Sequence, residues 1–578
     1  MTPNILSRIA DKRRDRIARE GYGLSCPVPE ARPSATEARP SATEARPSAT
    51  EARQSATEAR GRAPEADANA RDAGGNAPEA RQSAPEARPS APEARGNREN
   101  GERVPETRVP AGGQGAGARP LAFLPTGGIV CEIKRRSPSR GDISAGLDPL
   151  EQAGLYAERG ADAVSVLTEE DHFGGCLADL TAVKERYPDL PLLRKDFLLD
   201  VEDVDVSYRA GADAVLLIAA LLSPDRLAEM HERAISLGMA ALVEVHAEWE
   251  VDAVRDLAPP LVGINARDLT TFRVDPLTPL RVRPSIDWEA RVVYESGVFE
   301  AEQAAVASSA GFDSVLVGEA VVREPERIDR IRAGLAWKTR QAGSGREAFM
   351  AAGSEGQPRD FWNRLAARMK PGLPLVKICG ITNYRDGAEA VRLGADILGF
   401  VFADSKRQAT PQAVRACAGL DCLRVAVVVC EKRDGGHVLP PAVEALIAEG
   451  AIDAVQFHGD EEPEECAHLA FPYYKALRLR SPDDAAELDR WKCPRVLVDA
   501  FSRESRGGTG CMIEPETVAA VADHGSLWLA GGLAPDTIAA ALYRHEPELV
   551  DASSGLESEP GKKDHAKLAA FFKEIHNA

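Results

Sequence analysis

The sequence lacks several features that mark common classes of protein. No run of 18 apolar residues occurs in the 578-residue chain, so we expect no membrane-spanning helix and no membrane partner. The ten cysteines include no Cys-x-x-Cys pair, and the ten histidines include no His-x-x-x-His pair. Neither a disulfide framework nor a metal site is therefore expected. Since the N-terminus has no secretory signal pattern, we expect reduced thiols in a cytoplasmic protein.

The chain also has fewer basic than acidic residues. The chain has 71 basic and 90 acidic side chains, which give a formal net charge of -19. Nucleic-acid binding depends on Lys and Arg side chains that neutralise phosphates. This charge balance therefore argues against a nucleic-acid partner.

Residues 27–118 lack almost every large apolar residue. They contain no Phe, Trp, Tyr, Ile, Leu, Met or Cys, and their only large aliphatic residues are Val28, Val104 and Val109. Their 13 basic and 14 acidic residues nearly balance, so the acidic excess belongs to the rest of the chain. Such a segment cannot bury enough surface to offset its chain entropy. We expect a disordered, low-complexity insertion.

A seven-residue repeat runs through this insertion. The unit Glu-Ala-Arg-Pro-Ser-Ala-Thr recurs from Glu30 to Glu58, and a related unit recurs from Glu79 to Glu93. A seven-residue period is typical of coiled coils, but here Ala is the only apolar member and the prolines would break a helix. A Pro-rich binding tract is the alternative, and no Pro-x-x-Pro unit backed by aromatic residues supports it.

After Arg119, short runs of Val, Ile and Leu alternate with amphipathic helical stretches. The first set of runs lies at 129–134, 163–168, 192–197, 214–219, 240–245, 261–266, 291–296 and 314–319. The second set lies at 375–380, 397–402, 423–429, 454–459, 473–479, 495–500, 527–533 and 549–555. Apolar runs separated by helices indicate a parallel sheet. Eight βα units in roughly 220 residues favour a TIM barrel over an open doubly wound sheet of five or six strands.

The sequence thus predicts an α/β protein with two successive TIM (βα)8 barrels. We expect an N-terminal helical segment at 1–26, the disordered insertion at 27–118 and the first barrel at 119–338. A linker with a short helix follows at 339–371, and the second barrel occupies 372–578. Residues 1–20 read as an amphipathic helix, with Ile5, Ile9 and Ile17 among basic residues. We expect this helix to dock on the mouth of the first barrel.

Polar side chains close several strands of the first set. In a TIM barrel the active site lies at the carboxyl ends of the strands. Those ends carry Glu132, Lys134, Ser137, Lys195, Glu244, Asn265, Arg267, Glu295, Ser296, Gly297, Gly318 and Glu319. One buried Lys or Glu could belong to a structural ion pair, but two lysines and three glutamates on four strands favour acid/base chemistry. The short sequences Ser-Gly after strand 7 and Gly-Glu-Ala after strand 8 are typical of a phosphate site.

The strands of the second set end in a different group of polar residues. Their ends carry Lys377, Cys379, Arg407, Gln456, His458, Asp499, Gly508, Gly531, Gly532, Asp551, Ser554 and Gly555. Cys379 could be a packed core thiol, or it could act as a thiolate base opposite Asp499. The glycine and serine residues after strands 7 and 8 predict a second phosphate site.

At these positions the sequence resembles two known families. Glu132-Ile-Lys-Arg-Arg-Ser-Pro-Ser139, Leu193-Arg-Lys-Asp-Phe197, Leu242-Val-Glu-Val-His246, Gly263-Ile-Asn-Ala-Arg-Asp-Leu269 and Glu295-Ser-Gly297 are similar to indole-3-glycerol-phosphate synthase. Val376-Lys-Ile-Cys-Gly-Ile-Thr382, Val455-Gln-Phe-His-Gly-Asp460, Gly507-Gly-Thr-Gly510, Ala530-Gly-Gly-Leu533 and Asp551-Ala-Ser-Ser-Gly-Leu-Glu557 are similar to phosphoribosylanthranilate isomerase. The whole resembles the tryptophan-biosynthesis fusion in which the synthase comes first.

The resemblance implies roles for residues of the first barrel. Lys195 would be the general acid and Glu244 the general base, with Glu132 and Lys134 positioning and polarising the substrate. The pocket lining would include Asn265, Arg267 and Glu295, and the phosphate end would be held or flanked by Ser137, Ser296, Gly297 and Gly318. The implied reaction closes an indole ring with loss of carbon dioxide and water.

For the second barrel, the resemblance implies an Amadori rearrangement. Cys379 would take the sugar C2 proton, Asp499 would open the ribose ring, and Arg407 would face the anthranilate carboxylate. Residues implied at the phosphate are Gly508, Gly531, Gly532, Ser554 and Gly555. Neither reaction implies a metal or a cofactor, and the implied partners are small phosphosugar-anthranilate molecules bound by a monomer.

Two departures from the families and two other interpretations remain. Cys511 and Met512 stand where the isomerase pattern usually has Lys and an aromatic residue, and Ala534 replaces a common Asn. The chain could instead contain two other phosphosugar barrels, although the acid/base set argues against this. A scaffold built around the repeat, with one silent barrel, is the alternative from a different functional class.

Overall fold

A computed structural model of the protein describes residues 5–22, 30, 32, 119–137, 141–144, 146–336, 361–433, 436–466, 471–491, 493–500, 514–522 and 524–578. Apart from residues 30 and 32, the predicted disordered insertion lies outside these described residues, and so does most of the predicted linker. The described residues belong to one compact unit.

The first barrel is a closed ring of eight parallel strands, as the sequence predicted. Its strands are β1 Gly128–Ile133, β2 Ala163–Leu167, β3 Leu192–Lys195, β4 Ala214–Ile218, β5 Ala240–Val245, β6 Leu261–Asn265, β7 Arg291–Glu295 and β8 Ser314–Val317. Each strand pairs with the next one in sequence, and β8 pairs with β1. Alternate residues face inward, so Val130, Leu193, Leu242 and Val293 fill the interior.

Helices surround this barrel in the expected alternation. They are α1 Ile5–Glu20, which precedes the barrel in sequence, then α2 Pro149–Glu158, α3 Leu177–Arg186, α4 Val201–Ala210, α5 Pro224–Ser236, α6 Glu248–Val254, α7 Thr278–Val282, α8 Ala301–Ser309, α9 Glu319–Arg323 and α10 Arg327–Leu335. Capping residues fix where some of them begin, since Asp200 accepts bonds from the first turn of α4 and Ser223 from that of α5.

The second barrel repeats the same architecture. Its strands are β9 Leu375–Cys379, β10 Ile397–Val401, β11 Leu423–Val428, β12 Ala454–Phe457, β13 Tyr473–Leu479, β14 Val496–Ala500, β15 Trp528–Ala530 and β16 Leu549–Ala552. They form a closed parallel barrel in sequence order, with β16 beside β9. The prediction of two TIM barrels is therefore confirmed.

The helices of this half begin with α11 Phe361–Ala366, the short helix predicted ahead of the barrel. The others are α12 Tyr384–Leu393, α13 Pro411–Ala416, α14 Pro441–Ala448, α15 Pro463–Cys466, α16 Pro515–Ala522, α17 Ile538–His545 and α18 His565–Asn577. A 3-10 helix, Pro482–Arg490, stands between β13 and β14. In the part of the chain that the structure describes, no helix is long and apolar enough to cross a bilayer.

Helix α1 docks beside the mouth of the first barrel, as expected. The buried Arg13 donates to Asp196 (Nη1 to Oδ1, 2.7 Å) and to Asp203 (Nη2 to Oδ1, 2.9 Å). Asp196 directly follows Lys195 and also accepts bonds from Thr168 and Arg194. The N-terminal helix is thus linked to the residue next to a candidate catalytic side chain.

The residues on either side of segment 33–120, Arg32 and Leu121, bind the same carboxylate. Asp213, fully buried at the start of β4, receives the guanidinium of Arg32 through Oδ1, and the same oxygen accepts the Leu121 amide at 2.8 Å. Its other oxygen binds Lys184 Nζ and the Leu192 amide. The two ends of the intervening segment are therefore close together in space, at the N-terminal face of the first barrel.

Helix α11 packs against the N-terminal end of the second barrel. Its Phe361 stacks on Tyr474 (ring centroids 6.4 Å apart), and its Trp362 lies 6.2 Å from the ring of Trp528. Tyr474 and Trp528 stand near the starts of β13 and β15. The carboxyl ends of the strands, which carry the candidate site, are at the other end of the barrel.

Candidate active sites

The mouth of the first barrel is organised around one lysine. Lys195, the last residue of β3, donates from Nζ to Glu244 Oε2 at 3.0 Å and to Glu295 Oε2 at 2.8 Å. Glu244 is the second-last residue of β5 and Glu295 the last of β7, and both are buried. Side chains two residues apart on a strand share a face, so these three follow the inward-facing Leu193, Leu242 and Val293. The structure thus brings the predicted acid and base into direct contact.

The two carboxylates differ in their charge state. Burial and the negative charge of Glu244 raise the pKa of Glu295 to about 8, because together they outweigh the opposing effect of the Lys195 cation. Burial would also raise the pKa of Glu244, but the cations of Lys195 and His246 hold it below its usual range. For Lys195, burial is outweighed by Glu244 and Glu295, which raise its pKa. At neutral pH Glu244 is the ionised partner and Lys195 is an ammonium.

His246 supplies the second cation beside Glu244. Its Nε2 lies 3.3 Å from Glu244 Oε1, and its Nδ1 lies 3.1 Å from Glu250 Oε2. Burial lowers the pKa of His246, but the two carboxylates raise it to about 10. The imidazole is therefore protonated at neutral pH and keeps a positive charge on the far side of Glu244 from Lys195.

Glu132 and Lys134 form a second ion pair at the same mouth. Lys134 Nζ lies 2.6 Å from Glu132 Oε1 at the end of β1. Gly318, after β8, leaves room for this pair, because a Cβ there would lie 2.7 Å from Glu132 Oε1 and 3.2 Å from Lys134 Nζ. Glu132, Lys134, Lys195, Glu244 and Glu295 therefore lie in two ion-paired groups.

A glycine on β6 makes space for Glu295. A Cβ at Gly263 would stand 2.0 Å from Glu295 Oε1 and 3.4 Å from Leu242. Gly263 pairs in register with Glu244 on β5 and with Val293 on β7. Only a residue without a side chain leaves room here for the Glu295 carboxylate that reaches Lys195.

Two residues after β7 adopt backbone conformations that favour glycine. Ser296 has φ +68° and Gly297 has φ +78°. A serine in the left-handed region is strained, and such strain is common where a binding site needs a fixed backbone. Gly318 precedes the short helix α9. Ser296, Gly297 and Gly318 thus come together at the ends of β7 and β8.

Asn265 and Arg267 lie where β6 enters its loop. Asn265 Oδ1 accepts the Arg267 amide at 3.0 Å, and Arg267 Nη1 donates to the Phe272 carbonyl at 2.9 Å. A cavity of about 540 Å³ opens above Lys195. Its walls include Glu132, Lys134, Arg267, Phe272, Glu295, Ser296, Gly297 and Gly318. We call it the first-barrel cavity.

The mouth of the second barrel is built around a thiol. Cys379 ends β9 and is buried, and burial raises the pKa of its thiol against the opposing charge of Lys377. Gly399 on the neighbouring strand β10 makes room for it, because a Cβ there would lie 2.8 Å from Cys379 Sγ and 3.1 Å from Cys379 Cα. Asp499, buried near the end of β14, stands five strands further around the barrel. The two side chains therefore come from opposite sides of the mouth.

An ion pair lies below the thiol, inside the barrel. The fully buried Lys377 donates to Asp551 Oδ2 at 2.5 Å and to Gln456 Oε1 at 2.8 Å. The Tyr474 hydroxyl also donates to Gln456 Oε1, at 3.0 Å. Burial opposes the charge of Lys377, but Asp551 raises its pKa. This cation stays in the barrel interior, two residues before Cys379.

Gln456 connects this pair to His458 and Asp499. Because Gln456 Oε1 accepts two bonds, its amide nitrogen donates to His458 Nδ1 at 3.1 Å. The proton of His458 then lies on Nε2, which faces Asp499 Oδ2 at 3.6 Å. Burial and the charge of Lys377 lower the pKa of His458 to about 4. His458 is therefore neutral at physiological pH.

Arg407 lies at this mouth with an acidic neighbour. Its Nε donates to both oxygens of Glu557, at 2.9 and 3.0 Å. Lys563 Nζ also donates to Glu557 and to the Ser553 carbonyl. A Cβ at Gly380 would meet both Arg407 and Ser553, at 3.1 Å each. The structure therefore places Arg407 beside the strand ends that carry Cys379 and Ser553.

Small residues bring the last two loops of the second barrel together. Gly531 and Gly532 follow β15 with φ +93° and +65°. After β16, a Cβ at Gly555 would lie 2.3 Å from the Leu533 carbonyl oxygen. Ser554 begins a 3-10 turn beside this contact. These four predicted phosphate-site residues occur in adjacent loops.

Some of the positions singled out in the sequence are not described, or are described only in part, by the structure. Gly508 and the Cys511–Met512 departure lie outside the described residues, and the side chain of Ser137 is not described. Sequence reasoning gave no role to His246, Gly263, Lys377, Gln456, His458, Asp551 or Glu557. A lysine in the middle of the apolar β9 was the clearest available signal. The contact between Arg407 and Glu557 joins residues 150 positions apart and had no local signal.

Comparisons with known proteins give two adjacent family matches. Residues 125–333 match the family model for indole-3-glycerol phosphate synthase, and residues 376–574 match that for N-(5'phosphoribosyl)anthranilate (PRA) isomerase. A tryptophan biosynthesis protein of Phytophthora nicotianae is 31% identical over 493 residues, which are 74% of this chain and 87% of that protein. An indole-3-glycerol phosphate synthase of Parafrankia sp. is 46% identical over 38% of this chain and 79% of that protein.

Longer relatives also match. A multifunctional tryptophan biosynthesis protein of Phycomyces blakesleeanus is 31% identical over 77% of this chain, and the chain spans 62% of that protein's length. It spans 59% of a similarly named protein of Schizosaccharomyces pombe. Among solved structures, phosphoribosyl anthranilate isomerase from Thermotoga maritima aligns with 36% of this chain and all of that chain, at 32% identity and a TM-score of 0.32.

Proposed function

Since the chain belongs to the indole-3-glycerol phosphate synthase family in its first barrel and to the phosphoribosylanthranilate isomerase family in its second, we propose that it is a bifunctional enzyme of tryptophan biosynthesis. The observation that carries this proposal is the presence of an acid/base set at both barrel mouths. Lys195 is bonded to Glu244 and Glu295 in one, and Cys379 and Asp499 come from opposite sides of the other.

The second barrel would act first, on N-(5-phosphoribosyl)anthranilate. Asp499 gives a proton to the ring oxygen as the ribose opens, and Cys379 removes the proton from C2. The result is the carboxyphenylamino-deoxyribulose phosphate, an Amadori product. Since the burial that raises the pKa of Cys379 also makes its thiolate a stronger base, a buried thiol suits this step.

The surrounding polar groups support those roles. Neutral His458 directs its Nε2 proton towards Asp499, and Lys377 places a fixed positive charge beneath Cys379. Arg407, already held by Glu557, faces the anthranilate carboxylate of the substrate. The phosphate group of the substrate would be bound by Gly531, Gly532, Ser554 and Gly555, and the family resemblance adds Gly508 to this set.

The first barrel then closes the indole ring. Lys195 donates a proton to the ketose carbonyl as the anthranilate ring attacks it, and carbon dioxide leaves. Glu244, kept ionised by Lys195 and His246, removes a proton as water is lost. Glu132 and Lys134 orient the substrate, while Asn265, Arg267 and Glu295 line the pocket. The product is indole-3-glycerol phosphate.

The phosphate end of this substrate lies where β7 and β8 finish. Ser137, Ser296, Gly297 and Gly318 hold or flank it, and the left-handed backbone at Ser296 and Gly297 supports an anion site built from backbone N–H groups. Because the chemistry consists of proton transfers with loss of carbon dioxide and water, the proposed enzyme needs no cofactor.

We also propose that the enzyme is a cytoplasmic monomer whose partners are its small-molecule substrates. The eight cysteines that the structure describes are all free thiols, which supports a reducing compartment. Sedimentation of the purified chain tests the monomer directly, since a dimer would double the measured mass.

The function is tested by supplying purified, dialysed protein with phosphoribosylanthranilate in the presence of a chelator. We expect indole-3-glycerol phosphate and one equivalent of carbon dioxide, with the carboxyphenylamino-deoxyribulose phosphate as a transient intermediate. Absence of both products would contradict the proposal for the second barrel, and adding the carboxyphenylamino-deoxyribulose phosphate directly would then test the first barrel. Accumulation of the intermediate alone would contradict it for the first barrel.

A further inference from the structure

One wall of the first-barrel cavity belongs to the second barrel. Besides the mouth residues, the cavity is lined by Trp491, Cys493, Pro494, Arg495, His524, Gly525 and Ser526. These residues precede β14 and β15, at the N-terminal end of the second barrel. The space above Lys195 is therefore bounded by both halves of the chain.

Arg495 is the most firmly held residue of this wall. Its guanidinium makes a paired contact with Glu548 (Nε to Oε2, 2.5 Å, and Nη2 to Oε1, 2.8 Å). Glu548 also accepts the Trp528 indole N–H at 2.8 Å. The side chain of Arg495 is only 4% exposed, and its Nη1 lies 2.8 Å from Asp275 Oδ1 of the first barrel. A rigid cation of the second barrel thus binds an acidic residue of the first.

Asp275 closes the loop that follows β6. Its backbone N–H donates to the Ala266 carbonyl at 2.8 Å, which ties the two ends of residues 266–275 together. Its carboxylate accepts the Leu277 amide at 3.0 Å and the Thr278 hydroxyl at 3.1 Å, at the start of α7. Burial opposes the charge of Asp275, but Arg495 lowers its pKa. Asp275 is therefore an ionised link between Arg495 and this loop.

Five residues of the same loop line the cavity, and Arg267 and Phe272 are among them. Arg267 Nη1 bonds to the Phe272 carbonyl. Phe272 has φ +58°, a left-handed conformation that is strained for an aromatic residue. Strained residues persist only where their surroundings hold them. Beside Phe272, Arg273 donates to the Ala522 carbonyl, a second contact with the other barrel.

We propose that Arg495 is a positioning residue for the synthase reaction: through Asp275 it holds loop 266–275 in the shape that places Arg267 and Phe272 against the substrate. The second barrel is thereby a structural part of the first barrel's active site. This inference rests on the proposed function, since it concerns the reaction above Lys195. Arg495 acts through Asp275 and the loop rather than on the reacting atoms.

The test uses the full-length chain with Asp275→Asn and Arg495→Met. Asparagine keeps an acceptor for the Leu277 amide and has an NH2 group that can donate to the Thr278 hydroxyl, but it removes the charge that Arg495 binds. A misplacement of about 1 Å in an active site can cost about 10²-fold. Because the loop keeps its own backbone bonds, we expect a smaller effect, a rise of about tenfold in synthase KM with a smaller change in kcat. Arg495→Lys should restore part of the loss.

The matched control is Asn363→Ala. Asn363 Nδ2 donates to Ser309 Oγ at 2.9 Å, so it also joins the second half of the chain to the first barrel, but through α11 and α8 rather than through Asp275. We expect synthase KM to stay within twofold of wild type in this variant. Isomerase kcat/KM, measured in every variant, reports whether the second barrel remains folded.

The outcomes separate two kinds of failure. Wild-type protein without synthase activity would overturn the proposed function and this inference with it. Active wild-type protein, with Asp275→Asn and Arg495→Met both within twofold of its synthase KM, would overturn only the positioning role. An equal rise in Asn363→Ala would also overturn it, because a general loosening of the interface would then explain the effect.

Discussion

The two barrels share strand order and closure, but they place their buried cation at different depths. In the first barrel, Lys195 is the last residue of its strand and contacts two carboxylates at the floor of a cavity. In the second, Lys377 lies two residues before Cys379, with no exposed surface, and pairs with Asp551. One fold can therefore use a lysine as a reacting group at the mouth or as a fixed charge beneath it.

The largest difference is expected in stability. Lys377→Met leaves the buried Asp551 carboxylate without its cation, which should lower the free energy of unfolding of the second barrel by about 3–5 kcal/mol. Lys195→Met should cost less, because Glu295 can take up a proton and Glu244 keeps the His246 cation beside it. Urea denaturation of both variants, followed by tryptophan fluorescence, measures the two values.

The double variant Lys377→Met with Asp551→Leu is the control, since it removes the uncompensated charge. It should recover more than half of the lost stability. Equal stability losses in Lys377→Met and Lys195→Met would remove the distinction between a structural and a reacting lysine.

Substituting one glycine in each barrel compares the two active sites through their activities. Gly263→Ala would place a Cβ 2.0 Å from Glu295 Oε1, and Gly399→Ala would place one 2.8 Å from Cys379 Sγ. Each should displace a group of the site and lower one activity by about 10²-fold. Steady-state assays of both reactions should show that Gly263→Ala affects only the synthase and Gly399→Ala only the isomerase. Loss of both activities in either variant would instead indicate general unfolding.

Replacing the histidine at each barrel mouth should shift the pH dependence of the synthase reaction but not that of the isomerase reaction. His246 is protonated, and it helps to keep the pKa of Glu244 low. His246→Gln removes that cation, so the pKa of Glu244 rises and the acid limb of the synthase kcat/KM profile moves up by about 1 pH unit. His458 is already neutral above its pKa of about 4. His458→Gln should therefore leave the acid limb of the isomerase profile unmoved between pH 5 and 7.

The smallest effect is expected from the insertion. Since Arg32 and Leu121 meet at Asp213, a linker of about six residues in place of residues 33–118 can join them. We expect both kcat/KM values within twofold of wild type. A shorter loop costs less closure entropy, so the free energy of unfolding should rise by at most about 2 kcal/mol. A tenfold loss of synthase turnover in this variant would show that the repeat contributes to catalysis.

The strands and the mouth residues were predictable for a specific reason. Apolar runs of a parallel barrel are continuous, so their carboxyl ends and the polar residues there can be read from the sequence, as Lys195 and Glu244 were. Contacts such as that between Arg495 and Asp275 could not be predicted from the sequence. Both residues lie in loops or at strand starts, 220 positions apart, where charged side chains are usually solvated. The role of Gly263 could not be predicted for another reason. It depends on where the Glu295 side chain of the neighbouring strand lies inside the barrel.

The central claim is that each barrel mouth carries its own set of acid/base residues and catalyses one of the two reactions. It is tested most directly by assaying Lys195→Met and Cys379→Ala separately and then mixed, with phosphoribosylanthranilate as substrate. Lys195→Met should accumulate the carboxyphenylamino-deoxyribulose phosphate, and Cys379→Ala should convert added intermediate at the wild-type rate. The mixture should again produce indole-3-glycerol phosphate. If either folded variant lost both activities, or if the mixture formed no product, two separate sites would be contradicted.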